Sequence, residues 1–554
     1  MARKTGKRAL LELLRAEGLR YVFGNPGTTE EGLMDELAEF PDLEYMLGLH
    51  ESVAVGMADG YARASGQTQF VNLHVAAGIS NGLSMLYDAY RDGSPLVVTA
   101  GQSDSRLILR EPQLSGDLAG LARQFTKWSY EVRHAADLPL AVRRAFKIAA
   151  QPPTGPVFLA LPMDVLDETF DFELPPASRF FERVRPDPQG VERAVEALAR
   201  AQKPVILAGD QVPKCGGNAE LIALAERLGA PVYVVGGSWL DFPIGHPLFA
   251  GVLNTNIPAA RERLAGHDVI LAAGASIFTQ FLYVDEPILS ADQTLVHLDR
   301  DPWELGKNVP TTIGVLADLA LGLAELTAGV TGAGFDAAAA RARLETARGR
   351  QEERRSTFKK RVSAAWDRRP IASERLMGEL KANVPENAIF VDESITSGAA
   401  LSQTFEFGDP AAYFSSRGGA IGWGLPNALG VQLRHPDRRV IAVCGDGSSI
   451  YSIQSLWTAA HYRLPVIYVI CNNSSYRILK LGLTTYRGEL GPPSRFVGMD
   501  LVDPPVDFSR VAAGFGVAAR RVEDPDELAG AIREAVDSNA PALLDVVIEK
   551  SLRR

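Results

Sequence analysis

Short apolar runs, each closed by a glycine or polar turn and followed by a longer helical stretch, recur along the whole chain. Runs at 96–100, 157–161, 205–208, 232–235, 269–273, 295–298, 389–391, 440–443, 466–471 and 543–548 place apolar residues at successive rather than alternate positions. A strand with one face in water alternates. A strand covered on both faces need not, so these runs predict parallel strands buried between helices. Several begin directly after a proline (Pro95, Pro156, Pro204, Pro231, Pro465), which a strand tolerates at its entry because no ladder donor is needed there. Strands alternating with helices predict α/β units. The expected class is therefore α/β, with three doubly wound parallel-sheet domains.

Two shifts in pattern mark the joins. The stretch 174–189 is rich in proline and reads as a linker. The stretch 340–369 is rich in alanine and charge with few helix breakers, and predicts a solvated helix. The expected domains are 1–178, 190–335 and 365–554, which suits a chain of 554 residues. An outline of helix, proline and strand occurs twice, in SMLYDAYRDGSPLVVTAG and in SLWTAAHYRLPVIYVICN, once in each outer domain. The first 24 residues are basic but lack the unbroken apolar core of an export signal, and predict an amphipathic helix. No run of 18 or more apolar residues occurs, so no membrane span is expected.

Composition narrows the partners. Hydrophobic residues at 46% and charged residues at 22% are those of a globular protein. A net charge of −10 leaves no basic footprint for a phosphate backbone, and nucleic acid is not an expected partner. Cys215, Cys444 and Cys471 form no CxxC pair, which fits a reducing cytoplasm. Cys444 and Cys471 end apolar runs and read as small core residues rather than as thiolates.

The candidate chemistry starts where the run 440–443 ends, at Gly445-Asp446-Gly447-Ser448, and closes at Asn472-Asn473 after the run 466–471. The separation is that of one strand–helix–strand unit, so Asp446 and Asn473 are expected at neighbouring strand tips, where open α/β sheets bind ligands. Magnesium takes six hard oxygens, few of them from protein when a phosphate is present. Asp446, Asn473 and the main-chain carbonyl of Ser475 supply such oxygens. The glycines let the backbone approach, and amides near Gly447 and Ser448 face a diphosphate.

These residues resemble the signature of the thiamine-diphosphate-dependent enzymes, a GDG followed by an Asn-Asn pair. The likeness covers almost the whole chain and is greatest to the benzoylformate decarboxylases, through FGNPGTTE, NLHVAAGISN, SPLVVTAGQ, KWSYEV, GPVFLALPMD, HPLFAG, GGAIGWGLPNALGVQL and IAVCGDGSSIYSIQSLWTAA. Acetohydroxyacid synthases share the framework and less of the detail. The resemblance implies thiamine diphosphate and magnesium as cofactors. Gly419, Ile421, Gly445, Asp446, Gly447, Ser448, Asn473, Ser475 and Tyr476 would hold the cofactor, and Asp446, Asn473 and Ser475 the metal. It makes Glu51 the carboxylate that activates the cofactor's aminopyrimidine, His74 a proton-transfer group and Thr28 a contact to the substrate carboxylate. Ile421 becomes the wedge that bends the cofactor, and the Gly419 carbonyl the acceptor for its amino group. Leu114, Phe281, Arg417 and Leu479 would line the substrate pocket. The active site would lie between two subunits of a homodimer that builds a homotetramer. The implied reaction is non-oxidative decarboxylation of a 2-oxo acid to an aldehyde and carbon dioxide; the alternative is carboligation of the acetolactate synthase kind. One departure bears on that choice: Phe281 stands where the decarboxylases carry a second histidine, and phenylalanine relays no proton. No G-x-G-x-x-G fingerprint supports a nicotinamide dehydrogenase.

Overall fold

A computed structural model describes residues 2–176, 181–253, 256–280, 282–331 and 334–552. The chain forms two compact units, one of Met1–Phe180, Asp367–Ala400 and Ser416–Arg554, the other of Phe181–Trp366 and Leu401–Ser415. Three parallel sheets flanked by helices give the α/β class that the apolar runs predict.

In the first unit, one sheet contains β1 (Tyr21–Gly24), β2 (Glu44–Leu47), β3 (Gln69–Leu73), β4 (Leu96–Gln102), β5 (Ser129–Glu131) and β6 (Val157–Pro162), in the spatial order β2-β1-β3-β4-β6-β5. In the second unit, β7 (Val205–Ala208), β8 (Val232–Val234), β9 (Phe249–Val252), β10 (Val269–Ala273), β11 (Thr294–Asp299) and β12 (Ile313–Leu316) run in the order β9-β8-β7-β10-β11-β12. The first unit also holds a second parallel sheet, with β13 (Ile389–Glu393), β14 (Val440–Gly445), β15 (Ile467–Asn472), β16 (Ala518–Val522) and β17 (Ala542–Val547) in the order β13-β14-β15-β17-β16. That order repeats β1-β3-β4-β6-β5 of the first sheet. The twofold outline in the sequence thus has a structural basis, since its two copies end in β4 and β15, which occupy equivalent places.

Each of the ten apolar runs is a strand. The strands that the pattern does not announce are mostly edges: β2, β5, β9, β12 and β16 each lie at a sheet margin and are only partly buried. An edge strand has one neighbour and part of its surface in water, so it needs no continuous apolar run. The inner strands β1 and β3 are fully buried but short, and β3 carries Gln69 and Asn72.

The N-terminal segment is the expected amphipathic helix, α1 (Gly6–Ala16). It buries Ala9, Leu10, Leu11, Leu13 and Leu14 in the core under the first sheet, each leucine contributing about 1.5–3 kcal/mol. Two helices central to the site unit are buried nearly all round: α2 (Glu51–Ser65) and a helix at Gly424–Arg434. They touch backbone to backbone through glycine: a Cβ on Gly60 would lie 2.2 Å from the Asn427 carbonyl oxygen, and one on Gly430 2.0 Å from that of Met57. Between β3 and β4 runs α3 (Val75–Asp92). In the second unit, α4 (Ala337–Ala365) buries only Ala340, Gln351 and Ala365, the solvated helix expected of its composition. Among the described residues no helix is long and apolar enough to cross a membrane.

Candidate active site

Gly445, last in β14, pairs in register with Cys471 of β15, so the residues that follow emerge side by side. Asp446 is 3% exposed and starts a helix of five residues, Asp446–Ile450. Its Oδ1 accepts the Gly447 amide at 2.8 Å. Its Oδ2 is buried with no hydrogen-bond partner among the described residues. Burial raises this carboxyl to a pKa of about 6, against the pull of the amides of Gly447, Ser474, Ser475 and Asn473. Three of those amides belong to the turn after β15, so two strand tips converge on one carboxylate.

The two asparagines do different work. Asn472 turns into the protein: its Nδ2 donates to Asp545 Oδ1 at 2.8 Å, and its Oδ1 accepts the Ser474 amide at 3.1 Å. Arg521 holds the other oxygen of Asp545 at 2.9 Å. Asn473 stays at the tip, where its Oδ1 accepts the Ser475 hydroxyl at 2.8 Å and the Ser475 amide at 3.1 Å. Between them Ser474 has φ +52°, the left-handed region that a serine occupies only under constraint. The turn is tied down by Tyr476 N donating to the Met499 carbonyl at 3.0 Å and Leu501 N to that of Ser474 at 2.8 Å.

This donor set fits a hard divalent cation carrying a diphosphate. It offers a buried carboxylate with an unused oxygen, an amide oxygen and a main-chain carbonyl. Among the described residues no group of three or more His, Cys, Asp or Glu is placed to hold a metal ion by itself. A Cβ on Gly447 would stand 2.5 Å from the Tyr476 ring, so this turn admits only glycine beneath the ring. Ser448 is buried beside it. The helix is short, so local amides rather than a long dipole supply the positive end. Burial pushes the Cys471 thiol up to about 12 and the Cys444 thiol well above its usual range, so both are core residues.

The segment leading into Gly424–Arg434 lies at the adjacent tip. Gly419 and Gly422 take φ of +86° and +100°. Glu393, last in β13, accepts the Gly422 and Gly424 amides at 2.7 Å each. Ile421 is half-buried. The Arg417 guanidinium is turned to α3, where Nε donates to the Arg91 carbonyl at 2.7 Å.

The first sheet ends in a second polar group. His74 follows β3, and its Nδ1 lies 2.8 Å from Glu30 Oε2 and 3.1 Å from Thr29 Oγ1. Glu30 is 1% exposed and also accepts the amides of Gly27 at 2.9 Å and Gly101 at 2.8 Å. A Cβ on Gly27 would strike the His74 ring at 2.3 Å. Val75, next in the chain, has φ +41°, and Leu114, whose carbonyl accepts the Ala76 amide at 3.4 Å, has φ +70°. Strained non-glycine residues thus sit at this tip as well as at Ser474. Glu51 opens α2 half-buried, with Asn81 Nδ2 donating to its Oε2 at 3.0 Å and Gly78 leaving room beside Oε1. Thr28 is exposed; the hydroxyl that reaches His74 is that of Thr29. Leu114 and Leu479 are exposed although apolar. Phe281 lies outside the described residues.

Sequence reasoning does not single out Glu30 or Glu393. For Glu30 a signal existed, a glutamate three residues after Gly27 whose carboxylate returns to the Gly27 amide. For Glu393 it was a charge at the end of an otherwise apolar run.

Three family models match the chain. The thiamine pyrophosphate enzyme N-terminal TPP binding domain covers residues 4–120, the central domain 191–326 and the C-terminal TPP binding domain 396–546. The chain is 36% identical to the benzoylformate decarboxylase of Pseudomonas aeruginosa, with 98% of each chain covered. It is 30% identical to a probable acetolactate synthase large subunit of Methanocaldococcus jannaschii, covering 98% of this chain and 92% of that one. Among solved structures, the thiamine diphosphate-dependent 4-hydroxybenzoylformate decarboxylase of Rhodococcus jostii RHA1 superposes with a TM-score of 0.86 at 31% identity, over 99% of this chain and 100% of that one. With all three domain models matched in order and relatives aligned from end to end, the chain belongs to the thiamine pyrophosphate enzymes.

Proposed function

We propose that the chain is a thiamine-diphosphate-dependent, magnesium-requiring decarboxylase of 2-oxo acids, acting on an aromatic substrate of the benzoylformate class and releasing an aldehyde and carbon dioxide. The observation that carries the reading is the buried, unpartnered oxygen of Asp446 at the joined tips of β14 and β15. Buried polar atoms are nearly always satisfied, and one left open at a strand tip calls for a ligand. The decarboxylase relatives supply the substrate class.

The residues divide the work. Asp446, Asn473 and the Ser475 carbonyl would hold magnesium, while the amides near Gly447 and Ser448 would receive the diphosphate and Gly445 and Tyr476 would border it. Bound thiamine diphosphate supplies the nucleophilic carbon and the electron sink for decarboxylation. Glu51 would pair with the cofactor's pyrimidine ring, the Gly419 carbonyl would accept from its amino group, and Ile421 would support it from the side. Glu30 holds His74 through Nδ1, which leaves Nε2 as the nitrogen that gives or takes a proton near the substrate. Thr28 offers a hydroxyl to the substrate carboxylate. Leu114 and Leu479 would give the substrate pocket an apolar lining, and Arg417 would border it. Leu114 and Leu479 are exposed apolar residues of the kind a second subunit covers; with the family resemblance this supports a homodimer that shares its sites and builds a homotetramer, working in the cytoplasm.

The acetolactate synthase relative and the phenylalanine at 281 favour a second reading, in which ligation to a second carbonyl competes with aldehyde release. The deciding experiment supplies pyruvate, a branched 2-oxo acid and benzoylformate with thiamine diphosphate and magnesium, and follows carbon dioxide, aldehyde and acyloin. Benzoylformate should give benzaldehyde, and Glu51→Gln should retain the cofactor while turning over about 10²–10⁴-fold more slowly. Acyloin as the main product would establish the second reading. Bound cofactor without turnover of any of the three would overturn both.

A further inference from the structure

Residues 415–423 carry two groups proposed above to meet the cofactor, the Gly419 carbonyl and Ile421, yet no helix or strand includes them. Buried acids take their donors instead. Arg417 N donates to Asp92 Oδ1 at 3.1 Å, Ala420 N to Asp88 Oδ1 at 3.1 Å, and the Trp423 indole N–H to Asp59 Oδ2 at 2.8 Å. With the two amides on Glu393, the segment is held from the β13 tip below and from α2 and α3 beside it. Asp88 and Asp92 sit one turn apart on α3, both with no exposed surface. The contact at Asp88 is close: a Cβ on Gly418 would stand 1.9 Å from its Oδ1.

Asp92 and Asp59 have further partners, Arg63 Nη1 at 3.3 Å for the first and the Ser94 hydroxyl for the second. Asp88 differs, because its Oδ2 is buried without a hydrogen-bond partner among the described residues. Burial, the neighbouring Asp92, and Asp59 and Glu393 beyond it raise its pKa to about 9. Asp88 is therefore a neutral acid at neutral pH, and its Oδ1 is a carbonyl-type acceptor aimed at one amide.

We propose that Asp88 is a positioning residue for the cofactor: seated beneath Gly418–Ala420, it fixes the places of the Gly419 carbonyl and the Ile421 side chain. The proposal rests on the cofactor roles given to those two residues above, and it adds a residue of the first sheet's own helix to the machinery of the diphosphate-binding part. Asp88 touches neither cofactor nor substrate. A side chain that merely filled space would be replaceable by any residue of its size, whereas an acceptor must keep its oxygen.

The test uses the full chain with Asp88→Ala and Asp88→Asn, read by amide hydrogen exchange without cofactor and by steady-state kinetics with it. Asp88→Ala should speed exchange at Ala420 about tenfold, with the change confined to residues 417–424. It should lower kcat about tenfold while KM for the 2-oxo acid moves less than about threefold. Asp88→Asn keeps the acceptor and the shape of the neutral acid, and should stay within about threefold of the parent in both measurements. Unchanged exchange and kcat in Asp88→Ala, or an Asp88→Asn as impaired as Asp88→Ala, overturns the proposal. If Asp88→Ala does not fold, Asp88→Asn decides alone: near-parent exchange and kcat are required of it. A parent chain that binds no thiamine diphosphate defeats the functional reading and the purpose of this residue together, whereas an active parent with an indifferent loop defeats this proposal only.

Discussion

At the carboxyl end of β14 the chain reads Gly445-Asp446, and at the carboxyl end of β7 it reads Gly209-Asp210. Each aspartate is buried, 3% exposed in one case and 2% in the other, and each follows a central parallel strand. The surroundings differ. Asp210 is paired with Lys214 Nζ at 2.7 Å and accepts the Ser238 hydroxyl at 3.2 Å. A Cβ on Gly209 would strike the Gly274 carbonyl oxygen at 2.3 Å, so the β7 and β10 tips are closed upon each other. At Gly445 the nearest atoms to such a Cβ are 3.9 Å away, and Asp446 keeps one oxygen unused. A Gly-Asp pair at a strand tip is therefore not in itself a site. What supports the role proposed for Asp446 is that the protein supplies it no cation of its own and leaves space beside it.

The sharpest way to break this contrast is to remove each carboxylate. Asp446→Ala should weaken magnesium-dependent binding of thiamine diphosphate by more than about hundredfold and abolish turnover, measured by calorimetry and product formation. Asp210→Ala should leave that affinity within about twofold and instead destabilise the central domain by about 3 kcal/mol, because Lys214 loses its buried counter-charge. Equal loss of cofactor binding in both variants would mean that the two tips do not differ as their hydrogen bonds indicate.

A smaller effect tests the first sheet, whose tip holds a paired acid in a third manner. Glu30 has neither a lysine nor an open oxygen; it divides its bonds among His74, Thr29 and two amides. Glu30→Gln should cut kcat about tenfold with little change in KM. Nitrogen chemical shifts of His74 should show loss of the single tautomer that an acceptor at Nδ1 imposes. An unaltered tautomer would make Glu30 a mere support for the Gly27 and Gly101 amides.

How far the chain could be read in advance follows the same division between local and distant causes. Continuous apolar runs mark inner strands because burial on both faces is a local demand on composition. Edge strands such as β16, AARRV, carry no such demand. Asp446 and Asn473 were legible because glycine spacing and a crossover length bring them together. Asn472 looks identical to Asn473 in sequence, and Asp545, far along the chain but on the neighbouring strand β17, separates their roles. Asp88 and Asp92 lie in a stretch that the sequence marks only as a helix before a proline and a strand; their meaning depends on a loop more than three hundred positions away. Thr28 and Thr29 are adjacent hydroxyls, and the chain direction at Gly27 decides which one meets His74.

The smallest effect concerns acids that, unlike Asp210, are buried with amides and other acids rather than with a cation of their own. Asp88 and Glu393 are two such acids; beside Asp88 lie Asp59 and Asp92, and Asp92 is itself paired with Arg63 at 3.3 Å. Burial raises Glu393 to about 7, against the Gly424, Gly422 and Trp423 amides, and raises Asp88 to about 9. In the unfolded chain both titrate near 4. Between those limits the folded protein holds protons that the unfolded chain has released, so stability is fully present below about pH 4 and is lost as pH rises through 7 for Glu393 and through 9 for Asp88. Cofactor-free protein should therefore lose roughly 1 kcal/mol per pH unit for each of these acids as pH rises toward its folded value. Urea unfolding at intervals from pH 6 to 9 measures the slope. Asp88→Asn removes the group whose proton is held longest, so its curve should flatten above pH 7 while keeping the fall below it. A parent curve that is already flat from pH 7 to 9 would show that Asp88 is ionised in the folded chain, and that its amide contact is a charged one.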